Sequence, residues 1–150
     1  MCKLVRFLLV CCCALTAQEI RHIQPQGLAK SPAYSHVVTA KPGTVIWVAG
    51  QIAQNAKGEM VGKDVKTQAA QAWENVRIAL AAAGASFQDV VKINVFVVGY
   101  KPSMRAELRA ARLQAMGPGE PPASTLVGVQ ALAAEDILIE IEATAVIANK

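Results

Sequence analysis

Near its end the chain alternates without a break: in Asp136-Ile-Leu-Ile-Glu-Ile-Glu-Ala-Thr-Ala-Val146, every second residue from Ile137 to Ala145 is apolar. Successive side chains on a strand point to opposite faces, so Ile137, Ile139, Ile141, Ala143 and Ala145 form one apolar face. Glu140 and Glu142 share the other face, about 7 Å apart at that spacing. By pattern alone this is a strand covered on one side, and its acidic side reads equally as a half-solvated surface or as a site.

The cover is legible upstream. A helix is expected from Asp64 to Ala83, stopped at Gly84, with Val65, Ala69, Ala72, Trp73, Val76, Leu80 and Ala83 along one face. Ser86 to Asp89 link it to a strand, Val90 to Val98, in which Val91, Ile93, Val95 and Val97 line one side. A second helix opens at Lys101-Pro-Ser-Met104, with Met104, Leu108, Ala111 and Ala115 inward. Its Arg105, Glu107, Arg109 and Arg112 are read as a solvated basic outer face. Pro118-Gly119 ends it, and Pro121 to Val129 is the penultimate strand.

Three short strands precede these elements. Glu19 to Gln24 suits an edge, and a proline-led loop from Ser31 runs into the next strand. Lys41-Pro-Gly-Thr44 turns into Val45-Ile-Trp-Val-Ala49, apolar on both faces and therefore expected to be central and covered. Gly50 follows, where a glycine by itself marks a bulge or bend. The order of elements predicts a two-layer α+β domain: a single mixed sheet with both helices on one face. The uncovered face is expected to keep Phe96, Leu126, Leu138 and Val146, too apolar for water, so self-association is expected.

The first 17 residues stand apart. A basic start with Lys3 and Arg6, an apolar run from Phe7 to Leu15 and a small-residue end at Ala17 compose a secretory signal peptide, leaving residues 18–150 as the domain. The apolar run is shorter than the roughly 20 residues a bilayer span needs, so no permanent membrane anchor is expected. Export to the periplasm or medium would remove all four cysteines, which lie at positions 2, 11, 12 and 13. It would also change the charged balance from 15 basic against 11 acidic residues to 13 against 11, no footprint for nucleic acid. His22 and His36 have no carboxylate cluster at ligand spacing, and no phosphate loop occurs, so neither metal nor cofactor is expected.

The run Pro121-Pro-Ala-Ser-Thr-Leu-Val-Gly-Val129, then Leu132, then Ile139-Glu-Ile-Glu-Ala143, resembles the C-terminal signature of the RidA (YjgF-type) family, also known as L-PSP endoribonucleases. The Ala49-Gly50-Gln51 step is similar to that family's as well, and the resemblance runs from about residue 19 to 147. It implies a chorismate-mutase-like fold and a homotrimer with small-molecule pockets between subunits. It further implies Tyr34 as a pocket wall, Gly50 as a backbone approach to the ligand carboxylate, and Glu140 as the acid that positions the water attacking an imine.

One departure matters. The family's substrate-clamping arginine falls on Ser124, and a hydroxyl does not replace a guanidinium's two parallel charge-assisted bonds. Ser124 either bonds a neutral group of the ligand or simply starts a strand. Two functions therefore follow from the resemblance: a hydrolytic imine or enamine deaminase of altered specificity, or a non-catalytic trimer that binds a small metabolite. The ribonuclease label finds no support in a chain with 5% aromatic residues and no RNA-recognition signature.

Overall fold

A computed structural model describes residues 19–41 and 43–149. The expected leader over 1–17 and Pro42 of the predicted turn lie outside the described residues. The chain forms β1 (Glu19–Ile23), β2 (Val37–Lys41), β3 (Thr44–Gln51), α1 (Val65–Ala82), β4 (Val90–Val98), α2 (Arg105–Met116), β5 (Ala123–Val129) and β6 (Ile139–Ile147). It is an α+β domain whose main sheet runs β3-β6-β4-β5, with β4 and β5 parallel and the other neighbours antiparallel. β1 and β2 pair with each other as a separate ribbon.

The faultless alternation of β6 places that strand in the sheet interior. Ile139, Ile141 and Ala145 are fully buried, opposite Val97, Val95 and Val90 of β4. Both helices lie on this side, joining Trp73, Val76 and Leu80 of α1 and Leu108 of α2 to the same core. Burying side chains of this size contributes about 1.5–3 kcal/mol each. α1 begins where Asp64 caps it, its carboxylate accepting from the Thr67 amide at 2.9 Å and the Thr67 hydroxyl at 2.8 Å. Ala83, expected on the apolar face, is instead the exposed C-cap, and Gly84 follows with a φ of +76°.

Four expectations are corrected by strand order, register and packing. β3 is an edge strand, because β6 fills the place between it and β4; Trp47 points away from the helices and is 78% exposed. A shift between Val90 and Lys92 lets Val90 take the buried position expected for Val91. Leu126 pairs with Val95, so it faces the helix side rather than the uncovered one. Arg112, expected on the solvated face of α2, is only 8% exposed.

The ribbon is tied to the β5 approach through the loop that leads into β2. Ser35, buried, donates its hydroxyl to the Pro121 carbonyl at 2.6 Å, and its amide bonds the Pro122 carbonyl at 3.2 Å. His22 Nδ1 lies 3.1 Å from both the Ser35 hydroxyl and the Pro121 carbonyl. Gln24 Nε2 donates to the Tyr34 carbonyl at 3.0 Å. These bonds explain how Tyr34, remote in sequence from β5, comes to stand beside it.

Candidate functional site

Because β4 and β5 are parallel with Ile93 opposite Ser124 and Val95 opposite Leu126, the helix side of the β5 edge is left as a cleft of about 340 Å³. Its floor is apolar, from Trp73, Ile93, Val95, Leu108 and Ile139, and its walls carry Tyr34, Tyr100 and Ser124. Tyr100 packs over β5 because Gly128 leaves room: a Cβ there would stand 2.9 Å from Cβ of Tyr100. A cleft of this size with an apolar floor and polar walls suits a small molecule.

Three arginines from α2 also line it, Arg105, Arg109 and Arg112. Their spacing of four and three residues sets them on one helix face. Arg112 Nη1 donates to the Ala33 carbonyl at 2.6 Å. Burial first, and the like charge of Arg109 second, hold its pKa below the ordinary arginine value. No acidic residue lines the cleft, and the ion pairs among the described residues, Arg21–Glu19 and Arg77–Glu74, lie elsewhere. Taking a cation out of water without a counter-charge costs several kcal/mol, so an anion beside Arg112 would be favoured. A periodic reading of α2 could not find this. The signal present was three arginines at spacings of four and three on a helix whose single acid is Glu107.

Glu140 and Gly50 stand elsewhere. Glu140 is opposite Phe96 and Glu142 opposite Asn94, which puts both carboxylates on the sheet face turned away from the helices. Glu142 accepts from Asn94 Nδ2 at 3.1 Å. The Glu140 carboxylate fills the space over Gly50, where β3 slips register between Val48 and Gln51; a methyl on Gly50 would fall on that carboxylate. Gly50 is thus both a bulge and the seat of Glu140. The sheet separates the four residues singled out from sequence into two pairs, Tyr34 with Ser124 in the cleft and Gly50 with Glu140 behind it.

This packing carries a prediction. Gly50→Ala is expected to destabilise the protein by about 1–3 kcal/mol in urea unfolding, the usual cost of overpacking. The same change in a Glu140→Ala background should cost much less, because the obstructing carboxylate is gone. Equal costs in both backgrounds would show that the two residues do not meet.

Among the described residues no group of three His, Cys, Asp or Glu side chains is placed to hold a metal ion. No described helix is long and apolar enough to cross a membrane.

The chain matches the family model described as Endoribonuclease L-PSP over residues 25–147. It is 37% identical over 113 residues to a RutC family protein of Pyrococcus horikoshii, covering 75% of this chain and 85% of that one. It is 35% identical over 104 residues to the 2-iminobutanoate/2-iminopropanoate deaminase of Salmonella typhimurium, covering 69% of this chain and 80% of that enzyme. Among solved structures, a protein of unknown function of the conserved Rid family from Yersinia pestis superposes with a TM-score of 0.81 at 38% identity, over 85% of this chain and 98% of that one.

Proposed function

Because the chain belongs to the RidA (YjgF-type) family, we propose that it hydrolyses small imines or enamines with a specificity altered from that of arginine-clamping relatives, and that it does so as a homotrimer. The observation that supports a shared site is the placement of Ser124 and Glu140 on opposite faces of one sheet. Glu140 can reach a ligand in the cleft only if a second copy presents it. The face that carries Glu140 suits such a contact, since it exposes Trp47 at 78%, Val45 at 41% and Val127 at 39%.

The chemistry asked of the chain is modest. Glu140 takes a proton from water as the oxygen adds to the imine carbon, and the nitrogen is protonated. The tetrahedral adduct then collapses to a carbonyl and releases ammonia. An enamine enters the same route after protonation at carbon. The cleft orients the substrate and excludes bulk water from its apolar floor. A second reading, binding without turnover, draws on Ser124 in place of the family's clamping arginine.

The test joins assembly to turnover. Light scattering on a sizing column should give the mass of three chains, and the protein should accelerate the decay of a small imine or enamine formed in a coupled assay, with 2-iminopropanoate turned over more slowly than by an arginine-clamping relative. A stable monomer at micromolar concentration would refute the shared site. A trimer that binds small imines and enamines but hastens the decay of none of them would favour the binding reading.

A further inference from the structure

We propose that the cleft selects a small organic dianion, its first anionic group held by Arg112 deep in the cleft and its second by Arg105 and Arg109 at the mouth. This rests on the small-molecule reading of the same cleft and deepens it by naming the ligand class. Arg112 is buried to 8% exposure, with one carbonyl partner for its five donors. Arg105 and Arg109 are exposed on the same helix face and line the same cleft. Tyr34, Tyr100 and Ser124 add neutral polar groups and no negative charge. Even if Glu140 of a second copy stood beside these residues, the cleft would keep an excess of two positive charges. One carboxylate on Arg112 leaves Arg105 and Arg109 to water, whereas a second anionic group on the ligand would reach them as well. The planar fork of arginine further favours oxyanions that accept two parallel bonds.

Calorimetric titration of the wild-type protein with succinate, butyrate and phosphonoacetate tests this. Succinate and butyrate have the same chain length and differ in the second carboxylate, while phosphonoacetate replaces that carboxylate with a phosphoryl group. The tighter of the two dianions should exceed butyrate by about 10- to 100-fold at low salt. Succinate ahead of phosphonoacetate assigns the second group to a carboxylate, and the reverse order to a phosphoryl group.

The double variant R105M/R109M, altered only at exposed positions, should fold but lose the dianion preference, so that succinate binds no better than butyrate to that variant. R112M should weaken all three probes, and Arg112→Lys should restore part of the binding. Equal affinity for butyrate and both dianions would overturn the proposal, as would a preference that survives R105M/R109M or no binding of any probe. Imine turnover is scored apart from these titrations: its absence beside an intact dianion preference would sink the hydrolase reading alone.

Discussion

Glu140→Gln is expected to lower kcat for imine hydrolysis by about 10²- to 10⁴-fold, the usual contribution of a positioned general base, without dissolving the assembly. The amide keeps the shape over Gly50 but accepts no proton. A cleft variant, Ser124→Phe, should be inactive for a different reason, because its ring fills the space beside Leu126 and Tyr34. Mixing the two inactive proteins as unfolded chains and refolding them together then becomes informative. If each site takes its cleft from one chain and Glu140 from the next, about one quarter of the sites in a random trimer combine both intact halves. Activity should return to about that fraction of wild type. No recovery from well-mixed trimers would mean that cleft and carboxylate act within one chain, or that Glu140 acts at no site with this cleft.

Gln68→Leu is expected to destabilise the fold by about 3–6 kcal/mol, measured as a shift of the urea midpoint at unchanged slope. Gln68 is 1% exposed on α1 and satisfies three backbone groups at once. Its Nε2 donates to the carbonyls of Asp136 at 2.7 Å and Gly62 at 3.2 Å, and its Oε1 accepts from the Leu138 amide at 2.8 Å. Leucine would remove the shared partner of all three in a half-buried place, and each orphan costs about 1–3 kcal/mol. The effect reaches the site because these bonds hold the chain just before β6, and a slip of one residue there would turn Glu140 toward the core. A loss below about 1 kcal/mol would show that water or a relaxed loop takes over the three bonds.

The alternation from Ile137 to Ala145 determined the buried face of β6, because a period of two admits only one assignment of apolar residues to a covered side. Likewise, the spacing of Ala69, Ala72, Trp73, Val76 and Leu80 sufficed for the inner face of α1, and all five are buried. The family signature, too, is local: it lies in runs of neighbouring residues and needs no fold to be read.

What the tertiary structure alone decided depends on which strand stands beside which. β3 looked central because both its faces are apolar, yet the strand order makes it an edge, and its exposed Trp47 belongs to the face turned away from the helices. A register slip exchanged Val90 for Val91, an event that no side-chain pattern records. Gln68 looked like one more polar helix residue until three backbone groups 62, 136 and 138 converged on it. Arg112 is the largest such case. Its burial comes from the loop at Ala33, brought against α2 through Ser35 and Pro121, and contacts of 79 and 86 residues' separation leave no periodic trace in the chain. Sequence therefore determined the elements and their apolar faces, where neighbours along the chain decide. The charge of the cleft and the separation of Ser124 from Glu140 are properties of packing and strand order, and they arose only when distant segments met.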